Sequence, residues 1–174
     1  MTSKAAGELI ANGGGNDYHL GDTWTYPPAR VDRILKDREQ VTLGGVTLTA
    51  YLTPGHTKGC TTWHTSVEED GQRYDVVFVG STSVLHGVKL VNNPNYPEIA
   101  EDYARTFRTL KSLPCDVFLA SHGRFFQMLD KAERLKEGAS PNPFIDPEGY
   151  LAFLQSTEKK YLDQLADETT HKQP

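Results

Sequence analysis

The sequence contains little cysteine: Cys60 and Cys115 are the only two thiols among its 174 residues. Two cysteines are too few for a disulfide framework, and their spacing matches no zinc ribbon. Free cysteine packs as a small hydrophobic residue. We therefore expect two free, mostly buried thiols, although the sequence alone leaves open whether they pair.

Long hydrophobic runs and basic clusters are also absent. No run of 18 apolar residues occurs, which predicts that no helix spans a membrane. Residues 1–8 lack the hydrophobic stretch of a signal peptide. The net charge is −5 and no cluster of basic residues offsets it, which argues against nucleic acid or an anionic membrane as a partner.

The length and composition predict one domain. A chain of 174 residues with 37% hydrophobic residues is long enough for one core and too short for two large ones. Hydrophobic periodicity and turn residues predict a mixed α/β structure in which helices cover one face of a sheet. The predicted strands are 31–36, 41–43, 46–52, 60–67, 73–80 and 116–120. The predicted helices are 4–11, 97–112, 124–137 and a last helix capped by Asp146, followed by a flexible tail over 169–174.

Three of these helices show apolar residues at helical spacing, and we expect those residues to face the core. In 97–112 they are Ile99, Tyr103, Phe107 and Leu110. In 124–137 they are Met128, Leu129, Ala132 and Leu135. In the last helix they are Leu151, Leu154, Tyr161, Leu162 and Leu165.

Two histidines follow predicted strands directly. The strand 46–52 is broken by Pro54-Gly55, which places His56 on a loop just beyond a strand end. His122 follows the strand 116–120 in the same way. Histidines on loops between rigid strands are well placed to bind a metal. A surface or capping role is the alternative for each.

The amino-acid sequence around these histidines resembles that of the subclass B3 metallo-β-lactamases. The similar segments are 53–63, 80–83, 88–94, 99–103, 113–119, 121–123 and 142–150. The resemblance covers roughly residues 30 to 165, but the family's His-x-His-x-Asp-His motif, which supplies four of its six zinc ligands, is absent from the 174 residues. We therefore expect an αββα sandwich in an N-terminally truncated version, with 1–174 carrying mainly the second αβ half.

The resemblance implies two Zn²⁺ ions and hydrolysis of the β-lactam amide of penicillins, cephalosporins and carbapenems, by a periplasmic enzyme of antibiotic resistance. His56 matches the third ligand of the first zinc, and His122 matches the last ligand of the second. Ser81 and Ser83 match positions near the substrate carboxylate, with capping of backbone groups as the alternative. Residues 12–30 match an aromatic flap, or else form a surface loop.

One imidazole per zinc leaves each metal short of its usual three protein ligands, so we expect the chain alone to be impaired. The other candidate donors do not recreate the missing set; they are His19, His64, His86, His171, Asp17 and Asp22. The alternatives are a non-catalytic half-domain that associates with itself through an exposed apolar face, and another hydrolase of the superfamily such as a lactonase or thioesterase.

Overall fold

A computed structural model of the chain describes residues 1–170. The strands are β1 (Thr2–Ser3), β2 (Ile34–Leu35), β3 (Glu39–Leu43), β4 (Val46–Leu52), β5 (Thr61–Glu69), β6 (Gln72–Val79) and β7 (Val117–Ala120). The helices are α1 (Lys4–Ala11), α2 (Ile99–Lys111), α3 (Met128–Lys136) and α4 (Pro147–Thr170), with a 3-10 helix at Gly123–Phe126.

The main sheet has five strands in the order β3-β4-β5-β6-β7. Neighbouring strands are antiparallel except β6 and β7, which run parallel. The two-residue turns Gly44-Gly45 and Asp70-Gly71 join consecutive strands, and all four residues have positive φ. This is the conformation that tight hairpins require. The strand predicted over 60–67 extends further than expected, because Glu68 and Glu69 also belong to β5.

Helices cover one face of this sheet, as predicted. Val77, Val79 and Phe118 point from β6 and β7 into a core that includes Leu110 of α2 and Leu154 of α4. A second cluster joins α2 and α4 to the loop over 81–95. The inward residues predicted for α2 are all buried: Ile99, Tyr103, Phe107 and Leu110.

The opposite face of the sheet, which we call the open face, is mainly apolar. Cross-strand partners lie on the same side of a sheet, and the pairs Leu43–Val46, Ala50–Trp63 and Trp63–Phe78 place apolar side chains there across four strands. The other apolar members are Val41, Leu48, Val67, Tyr74 and Val76. Leu43 is 84% exposed and Phe78 is 38% exposed.

The strand predicted over 31–36 is reduced to β2, which pairs with β1 and not with the main sheet. The turn between β2 and β3 is fixed by contacts that separate β2 from the main sheet. Asp37 accepts a hydrogen bond from the Leu52 amide at 2.8 Å, and Arg38 takes a positive φ of 59°. Hydrophobic periodicity in a short segment predicts neither a side-chain contact between residues 15 positions apart nor a left-handed backbone conformation.

The helix predicted over 124–137 is wrong in its continuity and in its buried face. Gln127 has a φ of 54°, a left-handed value that separates the 3-10 helix from α3 and rotates the start of α3. Leu129 and Leu135 are exposed as a result, whereas Lys131 is only 3% exposed. The Lys131 ammonium donates to the Asp146 carboxylate at 2.7 Å. The buried side of α3 therefore contains an ion pair where apolar residues were predicted.

Replacing Lys131 with methionine is expected to lower the free energy of unfolding by about 1 kcal/mol at pH 7. The hydrogen bond from Lys131 lowers the pKa of Asp146. A carboxylate with a lowered pKa stabilises the fold above its unfolded pKa of about 3.9 and loses that effect as the pH falls through its folded pKa. Urea unfolding should therefore show a difference at pH 7 that shrinks as the pH falls below the unfolded pKa of about 3.9. Lys136→Met, on the exposed side of α3, is the control, and a Lys131→Met effect independent of pH would contradict the ion-pair account.

The last helix starts as predicted, because the Gly149 amide donates to the capping Asp146 carboxylate at 2.8 Å. Its buried stripe is narrower than predicted: Leu154 and Tyr161 are buried, whereas Leu151 and Leu162 are about half exposed. Thr169 and Thr170 belong to α4, and the rest of the predicted tail lies outside the described residues. No helix within 1–170 combines the length and apolar character needed to cross a membrane.

Candidate metal and substrate site

Three loops meet at one edge of the main sheet. β4 and β6 run in the same direction, because each is antiparallel to β5, and β7 is parallel to β6. The loops that follow these strands carry His56, Ser81 with Ser83, and His122. The Ser121 amide donates to the Val79 carbonyl at 3.1 Å, which continues the β6–β7 pairing up to the residue before His122. All four predicted site residues therefore lie just beyond the carboxyl ends of their strands, at the same end of the sheet.

The loop that carries His56 is fixed against α2. Gly55 has a φ of 136°, and a Cβ there would lie 2.8 Å from the Tyr103 ring, so only glycine fits without a shift. The Thr106 hydroxyl donates to the Pro54 carbonyl at 2.7 Å. The Tyr18 hydroxyl donates to the His56 carbonyl at 2.9 Å. The half-buried His56 is thus placed by contacts before and after it.

The imidazole of His56 is oriented by the loop after β6. Its Nδ1 lies 2.8 Å from the Ser83 carbonyl oxygen and 3.3 Å from the Ser83 hydroxyl. A carbonyl only accepts, so Nδ1 carries the proton and Nε2 has a free lone pair. The Tyr103 hydroxyl donates to the same carbonyl at 2.8 Å. Metal-binding histidines in proteins are held in this way, through hydrogen bonding of the nitrogen that does not bind the metal.

The two tyrosines in this network are neutral donors. Burial is the main cause that raises the pKa of Tyr18 to about 12, with the Asp17 charge adding to it. Burial likewise raises the pKa of Tyr103 far above its ordinary range. Both hydroxyls therefore keep their protons at neutral pH.

The serines form a pair beside this imidazole. The Ser81 and Ser83 hydroxyls lie 3.1 Å apart, and Ser81 is buried whereas Ser83 is half-buried. The structure therefore joins His56, Ser81 and Ser83 in one hydrogen-bonded cluster. His122 is exposed, and its ring contacts Phe125 edge-on at 5.2 Å. Its ring nitrogens make no hydrogen bond to any other described residue.

The residues described here do not form a zinc site by themselves. No group of three or more His, Cys, Asp and Glu side chains within 1–170 is arranged to hold a metal ion. Asp17 accepts the amides of His19 and Leu20, and Asp22 accepts the Asn16 amide. These carboxylates are used in local turns. The chain therefore orients one imidazole, that of His56, and the described residues do not supply a complete set of zinc ligands.

The remaining histidine candidates have other surroundings. His64 Nε2 lies 3.1 Å from the Asp75 carboxylate, so it belongs to a polar cross-strand contact and not to the site. His86 is exposed in the loop over 81–95. His171 lies outside the described residues.

In the segment 12–30, predicted as a flap or a surface loop, one aromatic residue is buried and two are exposed. Tyr18 is buried and packs edge-on against Tyr96 with ring centroids 5.1 Å apart. Trp24 is 73% exposed and Tyr26 is exposed as well. A flap function for this segment remains a prediction.

Sequence reasoning missed Glu168, which ties α4 to the loop over 81–95. Its carboxylate accepts the amides of Leu90 and Val91, each at 2.8 Å. The sequence offered one signal, because an acidic residue in the last turn of a helix opposes the helix dipole and needs another partner. Tyr103 was predicted as a core residue, and its hydrogen bond to the Ser83 carbonyl was missed.

Both cysteines are free, as expected. Burial is the main cause that raises the pKa of Cys60, and burial likewise raises the pKa of Cys115 to about 12. Both thiols therefore stay protonated at neutral pH, which is unfavourable for metal binding because the thiolate is the ligand.

Comparison with known proteins defines the class. No protein-family model matches the chain. The FEZ-1 metallo-β-lactamase from Legionella gormanii matches with a TM-score of 0.94 and 39% identity, over 98% of this chain and 65% of that one. BJP-1, a subclass B3 metallo-β-lactamase of Bradyrhizobium japonicum, matches with a TM-score of 0.86 and 34% identity, over 99% and 64%. LRA-12, a class B3 di-zinc metallo-β-lactamase from an Alaskan soil metagenome, matches with a TM-score of 0.86 and 30% identity, over 95% and 62%.

These likenesses establish the metallo-β-lactamase fold for nearly the whole of the chain. The chain belongs to the metallo-β-lactamase family, and its relatives there are subclass B3 enzymes. It spans a little under two thirds of the length of each of these solved structures.

Proposed function

We propose that this chain contributes part of the active site of a zinc-dependent β-lactamase, with His56 as a ligand of one zinc and His122 as a ligand of the other. The observation that carries the proposal is the hydrogen bond from His56 Nδ1 to the Ser83 carbonyl at 2.8 Å. It leaves Nε2 free and aimed by a rigid loop, which is the arrangement a metal ligand needs. LRA-12, a relative of this chain, is described as a di-zinc enzyme.

Ser81 and Ser83 would bind the carboxylate of a β-lactam. Their hydroxyls lie 3.1 Å apart beside His56, so one carboxylate can accept from both, directly or through water. Neither serine is proposed as a nucleophile, because no described residue serves it as a base: the nearest imidazole, His56, offers it only the protonated Nδ1. The substrates proposed are penicillins, cephalosporins and carbapenems, in the periplasmic setting of antibiotic resistance.

The donor set of this chain does not complete a zinc site, so we propose that the 174 residues alone hydrolyse β-lactams poorly or not at all. The further zinc ligands would come from a polypeptide that contains the family's His-x-His-x-Asp-His motif. The incomplete fit supports no catalytic step through zinc on this chain alone.

Reconstitution tests this proposal. The second polypeptide is the part of FEZ-1 that lies outside the 65% of that enzyme matched by this chain. The chain is purified with and without this polypeptide, and zinc is added to both samples. We expect β-lactam turnover in the mixture and none above the buffer rate in either component alone. A mixture that forms a stable complex, binds zinc and still leaves β-lactams intact would contradict the proposed function.

A second candidate function, self-association without catalysis, is favoured by the open face. Five strands about 4.8 Å apart and about 20 Å long present roughly 500 Å². Two copies face to face would bury about 1,000 Å², which reaches the lower bound for a specific interface. Leu43, Val46 and Phe78 are exposed apolar side chains on this face. We propose a second copy of this chain as the occupant, since two apolar sheet faces pack well at about 10 Å.

A further inference from the structure

A cavity of about 510 Å³ lies between the loop after β6, the 3-10 helix and α4. Its walls come from Thr82, Ser83 and Val84, from Arg124, Phe125 and Gln127, and from one side of α4 between Gly149 and Gln164. Its volume falls within the range of small-molecule binding sites, about 300–1,000 Å³. Ser83 is its only member among the proposed zinc ligands and carboxylate-binding serines.

The charge of the cavity wall is positive in an acidic protein. Arg124 and Lys160 line it, and no Asp or Glu does, although the net charge of the chain is −5. Neither cation makes an ion pair with a carboxylate of residues 1–170. The guanidinium of Arg124 lies 5.1 Å from the Phe125 ring centroid, which limits its orientation. A planar guanidinium held in this way suits a carboxylate, which it can bind through two hydrogen bonds.

The wall also contains a hydroxyl without a partner. Thr82 is 1% exposed, and its Oγ1 is the one buried side-chain polar atom within residues 1–170 that makes no hydrogen bond. Buried hydroxyls are nearly always paired, and an unpaired one is unfavourable by about 1–3 kcal/mol.

Two aromatic rings give the cavity an apolar side. Phe153 and Phe125 line it with their ring centroids 5.5 Å apart. Phe153 packs in turn on Phe118 of the core at 4.8 Å, so this side is supported by the sheet. An inorganic anion would leave these rings without a contact, whereas an organic anion with a flat apolar body would cover them.

From this combination we propose that the cavity binds a small organic carboxylate with an aromatic or similarly flat apolar body. The carboxylate lies between Arg124 and Lys160, and the apolar body lies against Phe125 and Phe153. The cavity shares Ser83 with the proposed β-lactam site, but its cationic and aromatic walls take no part in the proposed hydrolysis, so the inference goes beyond the proposed function. Because its test measures binding and not turnover, the two proposals can fail independently.

Phenylacetate and its neutral analogue phenylacetamide are the probes, titrated into the ¹⁵N-labelled 174-residue chain and followed by NMR. We expect saturable shifts of the Thr82 and Phe125 amide signals with phenylacetate, and at least tenfold weaker binding of phenylacetamide. Arg124→Gln should weaken phenylacetate binding about tenfold and leave phenylacetamide unchanged. Lys159→Gln, a neighbouring exposed lysine that does not line the cavity, should change neither.

A second variant keeps the test independent of the charge. Ala152→Phe places a ring in the cavity from the α4 side and should abolish binding of both probes, while its amide spectrum remains that of a folded chain. Equal affinity for the two probes, equal effects of Arg124→Gln and Lys159→Gln, unsaturated shifts, or full binding by Ala152→Phe would each overturn the proposal.

Discussion

Replacing His56 with alanine is expected to reduce β-lactam turnover of the reconstituted enzyme by more than about a hundredfold. Loss of a group that merely orients a metal ligand reduces metal affinity or activity about 10–100-fold, and loss of the ligand itself should exceed that. His56 is held through Nδ1 by the Ser83 carbonyl, and no other group of donors within 1–170 is arranged to hold a metal, so we expect no neighbouring side chain to replace its Nε2. Turnover and zinc content of the reconstituted sample are the measurements.

His64→Ala is the matched control for this variant. His64 is also a half-buried histidine with a hydrogen bond, in this case to Asp75 at 3.1 Å, but it lies within β5. It should leave zinc content and turnover within about twofold of the parent. His56→Gln, which keeps a polar side chain of similar size, guards against a simple folding defect. Full zinc content and turnover in His56→Ala would contradict the ligand assignment.

Replacing Phe78 with arginine is expected to convert the self-associated chain into monomer, with the dissociation constant raised about a hundredfold or more. Phe78 is 38% exposed on the open face and pairs across strands with Trp63. Aromatic side chains are prominent among the residues whose truncation weakens an interface by about 2 kcal/mol or more. An unpaired charge placed there would add a desolvation penalty. Sedimentation equilibrium over a range of concentrations measures the change.

Leu162→Arg is the control for this second prediction. Leu162 is 50% exposed on α4, on the helical side of the sheet, so it introduces the same charge at a similarly exposed apolar site. We expect it to associate as the parent does. A parent chain that stays monomeric at high concentration, or equal dissociation of both variants, would contradict the open face as the interface.

The sequence predicted the parts of the fold that depend on local pattern. The buried face of α2 follows from apolar residues at helical spacing, and the cap of α4 follows from Asp146 before Pro147. The face of α3 was wrong because its determinants are not local. Lys131 is buried by pairing with Asp146, 15 residues away, and Gln127 takes a left-handed conformation that periodicity does not reveal.

The candidate site shows the same division. Pro54-Gly55 after a strand was enough to place His56 on a loop, but its contact with Ser83 joins residues 27 positions apart. Only the fold brings these loops to one sheet edge, and the resemblance to subclass B3 enzymes anticipated that meeting. Nothing in the sequence signalled that the Ser83 carbonyl would accept from both His56 and Tyr103.

The most direct test of the account is the zinc content of the purified 174-residue chain, determined together with its rate of β-lactam hydrolysis. One oriented imidazole, His56, and one exposed imidazole, His122, without further donors should retain less than one tightly bound zinc per chain after dialysis, and hydrolysis should stay at the buffer rate. Two zinc ions per chain with sustained hydrolysis would show that these residues complete the site unaided, contrary to what the arrangement of His56 and His122 predicts.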